Sequence, residues 1–345
     1  MSVVIPAYNE EKYVTDCLES VIATQYPDLE IILVDDKSTD KTVEAATKYP
    51  VKIIARESRG GAAVARNDGL HTAQGRIVAF VDADCVVDRS WLDLLISDYT
   101  NEKIAGVGGI IGTKQSGILG KYRSFIAREP YTDSPTPVAT LYIPGGNSSY
   151  RSDVLRSIGG FDPAFAQPRA HEVIELGYRM KKHGHQLIGE PRATVWHMRE
   201  GSLRSWISEA FSQGYSALSF LVRYRIGELL SFQLKQIALI GFLVLWIVAL
   251  LGFIPLRVAV YVTVVASLFE LLRAGYSAST AAVHYHDARY FVVIPIELML
   301  RIVLYSGYFV ALFLATYHGT IKFVKQVFLG RQSQTDAPSS SGILL

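Results

Sequence analysis

The chain has 345 residues, with 34 Lys and Arg against 32 Asp and Glu and a formal net charge of +2. So near a balance excludes a nucleic-acid partner gripped by bulk charge, and two cysteines, Cys17 and Cys85, exclude a disulfide framework. Hydrophobic residues make up 50% of the sequence and mean hydropathy is +0.22, which is high for a chain that meets water on every side, and the length exceeds one ordinary domain.

Val3-Val4-Ile5 is a short apolar run closed by Pro6 and predicts a buried strand. A helix follows from Asn9 or Glu10, because Tyr13, Val14, Leu18, Val21 and Ile22 recur at helical spacing. Glu30–Val34 predicts a second strand, closed by Asp35-Asp36, and Ser38-Thr39-Asp40 can cap a helix running through Val43 and Ala46. Val51–Ala55 reads as a third strand, Gly60–Leu70 as an Ala-rich helix and Ile77–Val81 as a fourth strand. Strands this apolar, alternating with helices, predict a parallel sheet covered on both faces. Ligands of such sheets bind beyond the carboxyl ends of the strands. Pro6, Asp36, Asp82 and Asp84 all fall at those ends.

Asp82-Ala83-Asp84 puts two carboxylates one residue apart where the fourth strand stops. Side chains at i and i+2 of an extended chain point the same way. Two like charges held close are expensive without a cation, and a divalent ion that carries phosphates resolves that expense. The bland alternative is a solvated turn, since Asp is common after strands.

The blocks Val4-Ile5-Pro6-Ala7-Tyr8-Asn9-Glu10, Val34 to Asp40, Ala65-Arg66-Asn67, Asp82-Ala83-Asp84, Pro144-Gly145-Gly146-Asn147, Gly159-Gly160-Phe161-Asp162 and Glu175-Leu176-Gly177-Tyr178-Arg179 occur in order. Together they make residues 2–200 resemble the inverting family 2 glycosyltransferases. The resemblance implies an α/β, Rossmann-like GT-A domain, a nucleotide-sugar donor and a divalent metal, Mn2+ or Mg2+. It implies that Pro6, Ala7, Tyr8 and Glu10 line the nucleotide base and ribose, and that Asp36 hydrogen-bonds the base. Arg66 and Asn67 would face the nucleotide, Asp82 would contact ribose or sugar, and Asp84 would ligate the metal. Gly145, Gly146, Asn147 and Arg179 would lie toward the acceptor. His197 after Trp196 completes the metal or diphosphate site in some relatives; a surface histidine at a strand end is the competing reading. His183 and His185 read as solvated.

One departure bears on mechanism. Aligned through Leu176 and Arg179, the place of the family's usual catalytic Asp is held by Val173. Valine accepts no proton, whereas an attacking sugar hydroxyl must lose one. Three readings stay open. Glu172 serves as base from a shifted helix start, with Glu175 as second choice and its pairing with Arg179 at i, i+4 as the bland alternative. Or the acceptor is a lipid phosphate, already an anion, as in polyprenyl-phosphate sugar synthases. Or the protein binds donor without turnover, as a scaffold. A processive synthase is disfavoured by the lack of that group's Gln-x-x-Arg-Trp signature.

The second half changes character. Ser202–Arg225 patterns as an amphipathic helix, with Leu203, Trp206, Ile207 and Phe211 set against Arg204 and Glu209, suited to a membrane interface. Residues 237–256 carry no charge and meet the roughly 20 residues needed to span a bilayer. Residues 258–272 form a shorter candidate, and 290–317 a third, interrupted by Glu297 and Arg301. The expected layout is a catalytic domain at 1–201, interface helices at 202–235, two or three transmembrane helices within 236–318 and a basic, polar tail at 319–345. Arg223, Arg225, Lys235, Arg273 and Arg289 flank the first two spans as the positive-inside rule asks. Lys322, Lys325 and Arg331 argue for an even number of spans. No leader precedes the first strand, so the catalytic domain is expected on the cytosolic side of the cell membrane. The expected partners are a nucleotide-sugar donor, a lipid-linked or glycan acceptor and membrane lipids.

Overall fold

A computed structural model describes residues 1–114, 125, 128–165, 172–198, 207, 268, 271–272, 274–281 and 294–295. The expected interface helices and spans fall outside the described residues except at a few positions. No helix among the described residues is long and apolar enough to cross a membrane. Residues 274–281 are helical, with Ala274, Ala278 and Ala281 buried on one face.

The elements run β1 (Ser2–Ala7), α1 (Val14–Ile22), β2 (Glu30–Asp35), α2 (Thr42–Ala46), β3 (Lys52–Ala55), α3 (Ala62–Thr72), β4 (Ile77–Val81), β5 (Cys85–Val87), α4 (Trp91–Ser97), β6 (Ile104–Thr113), β7 (Val138–Thr140), β8 (Asn147–Arg151), α5 (Ser152–Ser157), a 3-10 turn (Pro163–Phe165), α6 (Glu172–Lys182) and β9 (Gln186–His197). Among the described residues the strands form one sheet in the order β3-β2-β1-β4-β8-β6-β9-β5, with β7 also paired to β9. β3, β2, β1 and β4 are parallel, as the apolar runs predict. β8 then enters antiparallel between β4 and β6, and β9 runs parallel to β6.

Burial follows the strand period of two. Val3 and Ile5 face one layer with Leu18, Val21, Trp91, Leu92 and Val195. Val4 faces the other, with Ile32, Phe80, Tyr150, Phe161 and Leu176. The Phe80 and Phe161 rings meet edge to face at 5.2 Å, and Tyr150 lies 6.1 Å from each. This aromatic cluster fixes the Gly159–Asp162 turn over the sheet, each fully buried ring contributing about 1.5–3 kcal/mol.

α1 begins later than its periodicity suggests. Asn9 takes a φ of 56°, and the carbonyl of Glu10 accepts the first turn's bonds from Tyr13 and Val14, both at 2.9 Å. The stretch 8–13 is therefore left as a loop at the carboxyl end of β1. The expected cap at Ser38-Thr39-Asp40 does not form: Lys41 holds the N-cap position with no side-chain cap, while Asp40, one residue earlier, accepts from the Thr42 amide at 3.0 Å.

Candidate active site

The carboxyl ends of β1, β2 and β4 converge on one edge of the sheet, and β8, which starts there, delivers the Gly145-Gly146 turn to the same edge. The centre is Arg66 on α3. Its side chain is buried, with Nη2 donating to Asp82 Oδ1 at 2.9 Å and Nη1 to Glu172 Oε1 at 3.4 Å. It lies over the Phe161 ring at 5.5 Å. Burial works against the guanidinium charge, but Asp82 and then Glu172 outweigh it and raise the Arg66 pKa above its ordinary value. Nε is buried without a hydrogen-bond partner among the described residues. The arrangement ties the end of β4 to the first turn of α6.

Gly145 and Gly146 leave room for that centre. A Cβ on Gly145 would sit 3.0 Å from Arg66 Nη2, and one on Gly146 would collide with the Asp82 carboxylate. No other residue type fits Gly146 unless Asp82 moves.

Asp84 and His197 meet across the β5–β9 pair, where Cys85 stands opposite His197. Asp84 Oδ2 lies 3.2 Å from His197 Nε2, and the Asp84 carbonyl accepts from the Met198 amide at 2.9 Å. Cys85 Sγ approaches Asp84 Oδ1 at 3.6 Å. Among the described residues, no three His, Cys, Asp or Glu side chains converge to hold a metal ion unaided. The Asp84 carboxylate, just ahead of β5, nevertheless fits Mn2+ or Mg2+, which take one or two protein carboxylates and complete the shell with phosphate oxygens, while the His197 nitrogen beside it is a donor that Mg2+ rarely takes.

At the β1–β2 end, Tyr8 is half buried under Arg59, whose guanidinium carbon lies 3.9 Å from the ring centroid. Asp36 is held by the loop after β3: it pairs with Arg56, accepts from the Gly60 amide at 2.8 Å and from the Gly61 amide at 2.7 Å. Arg56 also grips Asp68 at 2.7 Å. Glu10 anchors the loop after β1, its amide donating to Thr42 Oγ1 at 2.7 Å. Pro6 and Ala7 complete the strand end; the Ala7 carbonyl accepts from the Asp36 amide at 2.8 Å.

Four residues expected in the site are held by partners within the fold. Asn67 closes a two-bond ring with Phe161, donating to its carbonyl at 2.7 Å and accepting from its amide at 2.9 Å. Asn147 is fully buried; Nδ2 donates to the Ile110 and Ala193 carbonyls and Oδ1 accepts from Trp91 Nε1 at 2.8 Å. Glu175 has no exposed surface and receives Arg179 through both oxygens, at 2.6 and 2.7 Å. Arg179 then reaches the Ile158 and Gly160 carbonyls. Glu175 and Arg179 thus form an i, i+4 strap across the Gly159-Gly160 turn. Val173 packs against the core under Phe161 and Leu176, leaving Glu172 as the α6 carboxylate that reaches Arg66.

Arg56 and Arg59 escaped the sequence reading. Their signal was present: two arginines just ahead of Gly60-Gly61 at a helix start, across from an Asp pair.

Residues 2–159 match the profile described as Glycosyl transferase family 2. The glycosyltransferase GlyG of Streptococcus pneumoniae is 38% identical over 112 residues, 31% of this chain and 37% of that protein. The glycosyltransferase AglE of Haloferax volcanii is 28% identical over 238 residues, 59% of this chain and 76% of that one. The chain therefore spans only about a third of GlyG and three quarters of AglE. The solved mannosyltransferase PcManGT of Pyrobaculum calidifontis, in complex with GDP-Man and Mn2+, superposes with a TM-score of 0.58 at 19% identity, covering 89% of this chain and 86% of that one. Over residues 2–159 the chain is thus similar to glycosyl transferase family 2, and its sheet has the Rossmann-like α/β GT-A fold shared with the superposed mannosyltransferase.

Proposed function

We propose that this protein transfers a sugar, with inversion, from a nucleoside-diphosphate sugar to a lipid-linked or glycan hydroxyl. The single observation that carries this reading is the Arg66 bridge, which joins the carboxylate at the end of β4 to a carboxylate on α6 across a glycine-walled gap. The matched relatives, themselves glycosyltransferases, support it.

In the reaction, the acceptor oxygen forms a bond to the anomeric carbon as the bond from that carbon to the diphosphate breaks. Glu172 takes the acceptor proton, and Arg66 keeps the Glu172 carboxylate oriented. Asp82 positions the donor against the Gly145-Gly146 turn, which excludes bulk from the reacting face. Asp84 and His197 would hold the divalent cation, which when bound neutralises charge on the departing diphosphate. The charge-free run at 237–256 supports a membrane-attached enzyme with the domain on the cytosolic side.

Glu172 as base is favoured over a base-free transfer to a lipid phosphate because its carboxylate sits at the Arg66 bridge. The test is transfer from a panel of nucleotide sugars, with and without membrane lipid extract, by the full-length protein. Sugar transfer that needs a hydroxyl acceptor supports the proposal. Products on a lipid phosphate alone would favour the polyprenyl-phosphate synthase reading, and donor binding with no product at all would favour the scaffold.

A further inference from the structure

Arg59 is exposed, yet its guanidinium lies flat on Tyr8 at 3.9 Å. A planar cation stacks on one aromatic face and keeps its opposite face and its edge donors open. The site of this stack is the carboxyl end of β1, beside the residue expected to read the donor base, Asp36. Asp36 has little capacity left for that task. A carboxylate offers about four lone-pair positions, and Arg56, Gly60 and Gly61 already take three. Its side chain is 5% exposed. The loop 56–61 thus uses one arginine and two amides to bury Asp36 and sets the next arginine on Tyr8.

We infer that Arg59 determines donor specificity: the base of a nucleoside diphosphate stacks on the outer face of its guanidinium, with Tyr8 beneath. This rests on the nucleotide-sugar reading above. Stacking suits a base because every base has a π-face, and its loss costs about 1–3 kcal/mol per base.

The experiment titrates full-length protein with UDP, GDP and inorganic pyrophosphate in the presence of Mn2+, as wild type, Arg59→Ala and Arg59→Lys. Arg59→Ala should weaken the preferred nucleoside diphosphate by about tenfold or more, narrow the gap between UDP and GDP, and leave pyrophosphate unchanged. Arg59→Lys keeps the charge without the plane and should recover little. Equal losses for pyrophosphate would make Arg59 a phosphate contact and overturn the inference; full recovery in Arg59→Lys, or no loss in either variant, would do the same. If wild type binds neither nucleotide, the donor reading itself fails, a result distinct from any of these.

Discussion

Arg66 Nη1 reaches Glu172 Oε1 at 3.4 Å while its Nη2 holds Asp82 at 2.9 Å, so one buried guanidinium spans the gap between the end of β4 and the first turn of α6. Removing either carboxylate leaves a buried cation half paired, and breaking a buried pair from one side is far costlier than losing a surface one.

The first prediction follows from the Glu172 end of that bridge. Glu172→Gln keeps an oxygen for Arg66 but cannot accept a proton. It should lower kcat by roughly 10²–10⁴ with donor affinity close to wild type. Val173 packs into the core, so Val173→Asp should destabilise the domain without restoring activity to Glu172→Gln. Steady-state kinetics beside a thermal melt separate the two effects. Wild-type kcat in Glu172→Gln would remove Glu172 from the chemistry.

A second prediction separates holding from binding. Asn67→Ala removes both bonds to the Phe161 backbone and strands two polar groups. It should cost about 2–4 kcal/mol in urea unfolding, with nucleotide affinity of the folded protein nearly intact. Nucleotide binding that falls while stability holds would return Asn67 to the donor site.

Much of the fold was legible because its strands bury both faces. Val3–Ile5, Glu30–Val34 and Ile77–Val81 show as apolar runs, and all three form. β8 was not legible. Its sequence, Asn-Ser-Ser-Tyr-Arg, has no apolar run, yet four of its five residues are buried. Asn147 and Ser149 survive there because each is met by partners distant in sequence, Trp91, Ala193 and Val107 among them. Pattern reading cannot see such partners. The same holds for the site: the Asp and Gly positions stand out as motifs, whereas the tasks of Asn67, Asn147 and Glu175 depend on which groups the fold brings alongside.

The third prediction is a pH effect. Burial pushes the Glu129 carboxyl up to about 7, and the Tyr142 hydroxyl only partly offsets it. The folded state therefore holds this proton more tightly than the unfolded chain. The stability it contributes is present below the unfolded pKa of about 4.3 and is lost as pH rises through about 7, a swing of at most roughly 4 kcal/mol. Glu129→Gln should melt above wild type at pH 8 and lose that advantage by pH 5. Parallel melting profiles for the two proteins would show that Glu129 does not titrate in this range.

The last prediction concerns the cation. Asp84, just ahead of β5, and His197, at the end of β9, stand 3.2 Å apart, and both are argued to ligate. Asp84→Ala removes the only carboxylate of the pair and should abolish any Mn2+ enhancement of nucleoside-diphosphate binding measured by calorimetry. His197→Ala should weaken that enhancement without abolishing it, since a phosphate oxygen or water can take the vacated position. His197→Gln retains a polar group that can hydrogen-bond Asp84. Its amide oxygen is also a donor that Mn2+ takes, so Gln should retain more of the enhancement than Ala. Metal-independent nucleotide binding by the wild type would instead take the cation out of the donor site and leave the Asp84–His197 contact a bond between strands.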